Sequence, residues 1–285
     1  MKFQYFFILF NILLLIFLAI IIFSPALFLT NYSSIPIDQG SSLTSLFWRS
    51  NWILMVILAA IMAGFDVFYL RNRRLYALLE KEDWPALVTY LEDRVIRQGK
   101  YTPRLVRLLA NTYLVLSDSS AVMSLENKAA MAKPSLVDKN ALIFGTARVL
   151  GRDFTGAVRF FEARQNSVNS GQRQWVCWYF GFSLFLSRQY DKAAEEFSRL
   201  AEVSNDGIIT GLSAYFLSTI SKKSAPEKLK SLNEDAIHGK ERVLKALPTQ
   251  KNWTKETGRI NGEIHIAVLS QHIEAAGKWL YKGSE

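Results

Sequence analysis

Apolar and polar positions divide the chain into two unlike parts. Up to residue 70 the apolar positions run together, and from residue 71 they recur every three or four residues among charged ones. Residues 5–23 carry no charge, and Asn11 is their one strongly polar interruption. A helix of that length covers roughly 28 Å, about the thickness of a bilayer's hydrocarbon core. Continuing past Pro25 to Leu29 leaves room for tilt. A cleaved signal peptide usually has an apolar core of about 7–15 residues ending at a small-x-small site. This run is longer, and no clean site follows it. Residues 30–49 are polar, with Pro36, Gly40 and five serines, as a short external loop would be. Residues 52–70 are again apolar, with Trp48 and Trp52 at the start and Tyr69 at the end, where amphipathic rings favour the interface. The pattern predicts two transmembrane helices, about 5–29 and 50–70. Asp66 stands about a turn from the end of the second, within reach of the arginines that follow.

From residue 71 the periodicity is helical, and no stretch shows the alternation of a half-buried strand, so the fold class is all-α. Cys177-x2-Phe180-Gly181-x2-Leu184 is followed by Tyr190-x2-Ala193-x3-Phe197-x2-Leu200. The same large-small and aromatic-x2-Ala-x3-Phe pattern recurs 36 residues upstream, at Phe144-Gly145 and Phe154-x2-Ala157-x3-Phe161. Another copy begins at Val106-x2-Leu109-Ala110-x2-Tyr113, and a weaker one has Leu75 and Leu78 before Trp84-x2-Leu87-x3-Leu91. Small residues at this spacing suit two helices that cross closely, with the large ones filling the space beside the crossing. The units lie near 71–100, 104–134, 138–170 and 174–205, with a diverged pair at 207–247. Ile260, Ile264, Val268, Ile273, Ala276 and Leu280 mark an amphipathic helix over 254–282 that caps the array.

These spacings resemble the tetratricopeptide repeat, a helix-turn-helix unit of about 34 residues. The resemblance implies a right-handed α-solenoid whose first helices line a concave groove. Carried onto the 174–205 unit, the groove positions are Trp175, Trp178, Phe182 and Phe185. Those aromatics either take an apolar peptide or helix or seat the C-terminal helices, because their helix is apolar nearly all round. In the 104–134 unit the groove positions include Arg104, Arg107 and Asn111. Arg107 and Asn111 resemble part of a carboxylate clamp, although Ile143 stands where an asparagine is expected. The layout of two N-terminal spans before repeats also looks like HemY-type inner-membrane proteins and components proposed for spirochaete flagellar collars.

Charge sharpens the topology. Lys2, Arg49, Asp38 and Asp66 cancel, so the whole net charge of +9 belongs to residues 71–285. Arg71, Arg73 and Arg74 follow the second span directly, and the positive-inside bias then places both termini in the cytoplasm of a multi-pass membrane protein. Residues 71–107 hold nine basic against five acidic side chains, which suits anionic lipid at the membrane surface. No nucleic-acid recognition motif accompanies that charge.

Catalysis finds little support. There is no nucleophile elbow, phosphate-binding Gly-Lys-Ser/Thr loop or dinucleotide fingerprint. Cys177 sits between tryptophans as a small buried hydrophobe. His265 and His272 are seven residues apart, too far to share a metal as an i, i+4 pair does. An enzyme would need a polar pocket around them. The expectation is a scaffold at the cytoplasmic membrane that recruits a protein partner and carries no cofactor, with a structural subunit of a larger membrane assembly as the alternative.

Overall fold

Two helices account for the apolar N-terminal part of the chain: α1, Phe3–Asn31, and α2, Ile37–Glu80. In this computed structural model the described residues are 3–31, 37–223, 226–260 and 262–282, with side chains described from residue 5 except for 6, 24–48, 50 and 226. The segment 30–49, expected as a loop, is largely helical. Helix α1 runs to Asn31 and α2 begins at Ile37, while 32–36 lie outside the described residues. Among the described residues one helix, Asn51–Glu80, is long and apolar enough to cross a membrane, and none of its apolar window is buried. The described apolar part of α1, Phe7–Phe23, is shorter than that requirement, so the described residues show one candidate span where the sequence predicts two.

The chain forms two compact units, Met1–Leu87 and Val88–Glu285. The boundary falls well after residue 70 because α2 continues unbroken through Arg71, Arg73 and Arg74 to Glu80. Within the first unit α1 and α2 pair antiparallel. Phe7 stacks on Tyr69 at 3.8 Å, Phe10 meets Phe65 edge-on at 5.5 Å, and Asn11 Nδ2 donates to Asp66 Oδ1 at 3.2 Å. Asp66 therefore has a partner on the facing helix, which lowers the penalty for a carboxylate in an apolar segment. Ile8, Leu9, Ile16, Trp52, Ile53 and Val56 point outward, a surface that water disfavours and lipid tolerates.

Among its described residues the regular elements of the second unit are all helices. Helix α3, Trp84–Glu92, passes into a π-helical turn, Asp93–Arg97. Then come α4 (Pro103–Val115), α5 (Ser119–Ala132), the short α6 (Ser135–Lys139), α7 (Ala141–Leu150) and α8 (Phe154–Glu162). Helices α9 (Ser170–Leu186), α10 (Tyr190–Val203), α11 (Gly207–Ser221) and α12 (Pro226–Ala246) follow. Consecutive helices pack on one another from α7 to α12.

One backbone turn recurs. Glu82, Ser117, Arg152 and Arg188 all adopt left-handed φ values between 53° and 61°, spaced 35, 35 and 36 residues apart. The N–H of the next residue reaches back to the helix it leaves: Asp83 to Leu78, Asp118 to Tyr113, Asp153 to Arg148 and Gln189 to Leu184. That is a Schellman closure. Asp83, Asp118 and Asp153 then accept from Ala86, Ala121 and Gly156 and cap the following helix. One short segment thus ends one helix and caps the next.

Close approach between neighbours needs missing side chains. Gly145 faces the ring of Phe161 with no room for a methyl group, and a Cβ on Gly181 would meet Phe197 at 3.1 Å. Charge is also buried between helices. Arg148 reaches Glu126 at 2.5 Å, and the Phe160 ring lies between the guanidiniums of Arg148 and Arg164, 4.4 and 3.8 Å from its centre.

The expected capping helix over 254–282 is three helices: α13 (Gln250–Ile260), α14 (Ile264–Val268) and α15 (Ser270–Leu280). The break falls at Gly262, a residue type with low helix propensity. Trp253 of α13 fills the space left by Gly211 and Gly277, and the Tyr281 hydroxyl donates to the Leu247 carbonyl at 2.5 Å.

Candidate functional site

The sequence places Arg104, Arg107 and Asn111 along one stripe of α4, and the structure separates them. Arg104 and Arg107 are both exposed, but only Arg107, with Asn111, lines a cavity of about 390 Å³ open to solvent on one side. Asn140 and Ile143 supply the α7 side, Gln172 the start of α9, and residues 262–265 the remaining wall. Thr102 caps α4 and Asn169 caps α9, so both helices enter the site with defined N-termini.

The polar groups converge on the Lys139 carbonyl, which accepts from Arg107 Nη2 at 3.2 Å and from Gln172 Nε2 at 3.4 Å. Arg107 Nε donates to Asn140 Oδ1 at 3.4 Å, and Asn140 Nδ2 donates to the Leu136 carbonyl at 2.9 Å. Two further acceptors, Asn111 Oδ1 and Gln172 Oε1, are buried and have no partner among the described residues. His265 Nδ1 lies 3.5 Å from Glu263 Oε2, but that carboxylate is largely exposed and solvated. Burial, and then the charge of Arg107, push the His265 pKa down to about 4, so the imidazole is neutral at pH 7.

The four aromatics do not line an open groove. Trp175 packs edge-on against His265 at 5.5 Å, Trp178 stacks on Phe182 at 5.2 Å, and Phe182 meets His272 at 5.4 Å. Phe216 of α11 touches Trp178, Phe182 and Phe185. Phe185 alone of the four is half-exposed, with Lys223 Nζ 5.3 Å from its ring centre. Of the two expectations for this face, a groove or a seat for the C-terminal helices, the geometry matches the seat: α11, α14 and α15 bury it, and the Tyr179 hydroxyl fastens the cover through the His265 carbonyl at 2.5 Å. Burial holds the Tyr179 phenol well above its ordinary pKa, so it remains a donor.

Sequence reasoning missed Asn140 and Gln172, and it named His265 without placing it beside α4. Gln172 stands one turn before Trp175 on the same helix, the one local signal for it. His265 and His272 do not form a joint polar pocket, because His265 borders the cavity while His272 packs against Phe182 and Phe216. Arg71, Arg73 and Arg74 lie exposed on α2. Among the described residues no group of three or more His, Cys, Asp or Glu is placed to hold a metal ion.

Comparison with known proteins corrects the family expectation. No tetratricopeptide family is found; the family whose model matches, over residues 121–282, is described as an uncharacterised Treponema protein. Small-aromatic spacing belongs to closely crossing helices generally, and Gly145 with Phe161 meets that need without the repeat family. A Treponema pallidum (strain Nichols) protein, described as an uncharacterized protein, is 26% identical over 243 residues, covering 82% of this chain and 76% of the relative. The family match takes in more than half of the chain, from α5 to α15, and the chain therefore belongs to that Treponema protein family.

Proposed function

We propose that this chain is a membrane-anchored helical scaffold that recruits a protein partner to the cytoplasmic membrane, without catalysis or a cofactor. Helices α1 and α2 are its two spans, both termini are cytoplasmic, and residues 71–285 form an α-solenoid closed by the C-terminal helices. The observation that carries this reading is α2 itself, one uninterrupted helix leading from an unburied apolar stretch into the exposed Arg71, Arg73 and Arg74. The antiparallel contacts of Asn11 with Asp66 and Phe7 with Tyr69 support α1 as the second span. Each basic residue beside an anionic lipid surface contributes about 1 kcal/mol.

Reporters of sidedness fused at Glu285 test the topology, and an external C-terminus overturns it. Replacing Arg71, Arg73 and Arg74 together by Gln is expected to scramble that sidedness. Photocrosslinkers at the exposed Leu150 and Val203 test recruitment in cells. A discrete protein adduct is expected, and recovery of only lipid and bulk protein sinks the scaffold reading.

A second reading, a permanent subunit of a larger membrane assembly, is favoured by one observation. Val115 and Leu150 occupy equivalent positions before the recurring turn and are both exposed apolar residues. A stoichiometric complex that survives dilution in mild detergent separates it from a recruiting scaffold, whose partner dissociates.

A further inference from the structure

Charge in the second unit is gathered at one end of its helices. Residues 98–107, 127–140 and 163–174 hold eight Lys and Arg against a single acid, Asp138. These connections come together in space. Arg107 Nη2 and Gln172 Nε2 both donate to the Lys139 carbonyl. Asp138 Oδ1 lies 3.5 Å from Arg164 Nε and accepts from Ser167 Oγ at 3.4 Å. The Arg164–Asp138 pair cancels, which leaves seven bases, and all seven are exposed. Glu162, Glu202 and Glu263 border this end and do not offset it. Helices α4, α7 and α9 begin here and run to the recurring turns, where residues 115–121, 150–156 and 186–192 carry three bases and three acids. The unit is therefore polarised along its helices rather than evenly basic.

The arrangement selects the partner. A small anion needs donors that converge on one point, as in an arginine fork. These bases are spread over three connections, and Arg107 already gives Nε and Nη2 to protein oxygens. Spread charge on exposed side chains suits an extended negative surface. Met131 stands among them, between Lys128 and Lys133, with 86% of its surface exposed. An apolar side chain there gains by entering a lipid layer and gains nothing against a hydrated nucleic-acid backbone. Anchoring through α2 also keeps lipid at a high effective concentration around this end.

We propose that this end of the second unit docks on an anionic lipid surface, with Arg104, Lys133, Lys139 and Arg173 at the headgroups and Met131 inserted among them. The proposal rests on the membrane-anchored reading above and adds to it a reversible lipid contact separate from Arg71, Arg73 and Arg74. Each base near such a surface strengthens docking about fivefold.

The full chain in lipid nanodiscs tests this, with an environment-sensitive dye on Ala132→Cys, an exposed position beside Met131. Cys177 is buried and escapes labelling. In nanodiscs containing phosphatidylglycerol the emission is expected to shift to the blue and to be quenched by nitroxide-labelled headgroups, with neither change in pure phosphatidylcholine. Salt at about 1 M, where the screening length is about 3 Å, is expected to reverse the shift. Lys133→Gln, Lys139→Gln and Arg173→Gln combined are expected to abolish it, a loss of about a hundredfold in docking. Arg152→Gln with Arg188→Gln, at the balanced end, leaves it intact, and circular dichroism confirms that each variant folds. Incorporation into nanodiscs without a lipid-dependent shift overturns the docking proposal alone. Failure to incorporate at all overturns the anchoring reading and the proposal with it. A shift on adding duplex DNA or polyglutamate to neutral nanodiscs, without a response to phosphatidylglycerol, assigns this end to another polyanion and also overturns the proposal.

Discussion

The Tyr179 hydroxyl donates to the main-chain carbonyl of His265, a residue 86 positions further along the chain, at 2.5 Å. Both groups are buried, and the bond pins α14 over the aromatic face of α9. Tyr179→Phe preserves the ring and its stacking on Phe161 but leaves the carbonyl without this donor. The expected loss is about 1–3 kcal/mol in urea unfolding. Hydrogen exchange at residues 264–268 localises the effect, and unchanged protection there refutes the pinning role.

Gly145 and Gly181 are equivalent positions with unequal room. A methyl group on Gly145 meets the fully buried Phe161 ring head-on, whereas on Gly181 it approaches Phe197 at 3.1 Å. Overpacking of this kind costs about 1–3 kcal/mol. Gly145→Ala is therefore expected to be the more destabilising of the two, and Phe161→Leu in the same chain to recover part of the loss. Paired thermal melts decide it: equal effects, or no recovery, refute the close-crossing account.

The left-handed turn residues give a prediction of opposite sign. Arg152 is exposed, and its φ of 60° is a conformation in which a side chain costs roughly 1 kcal/mol relative to glycine. Arg152→Gly is expected to raise stability by about 0.5 kcal/mol after the entropy that glycine gains on unfolding is subtracted. A fall in the unfolding midpoint contradicts this.

The parts of the fold legible in the sequence are those fixed over one or two turns. The all-α class follows from apolar spacing, and the repeated Gly or Ala beside a large residue records where helices cross. The turn was half hidden, because Glu82, Ser117, Arg152 and Arg188 are not glycines. Its readable trace is the aspartate recurring at 83, 118 and 153. The site was legible only where one helix carries it, as α4 carries Arg107 and Asn111. Gln172 and Asn140 converge only when α7 and α9 pack beside α4, and His265 only when α14 docks, contacts that sequence spacing does not encode. That docking also closes the aromatic face of α9. Periodicity marked this helix as apolar nearly all round and offered the C-terminal helices as one cover, but left an open groove as the alternative. The tetratricopeptide expectation went wrong at the same point, since local crossing geometry does not identify a family.

His265 sets the pH dependence. Its unfolded-state pKa is near 6.5, and in the native state it is pushed down to about 4, first by burial and then by Arg107. Above pH 6.5 it is neutral in both states and does not alter stability. As the pH falls below 6.5 the unfolded chain takes up a proton that the native chain resists, so stability drops toward pH 4. The whole effect is about 3 kcal/mol at most. Burial lowers His272 as well, which adds in the same direction. Between about pH 5 and 6.5 most carboxylates are already ionised, so the slope there reports chiefly on histidines. Urea unfolding across that window is expected to show declining stability on acidification, with a shallower slope for His265→Gln. Equal slopes for variant and wild type refute the assignment.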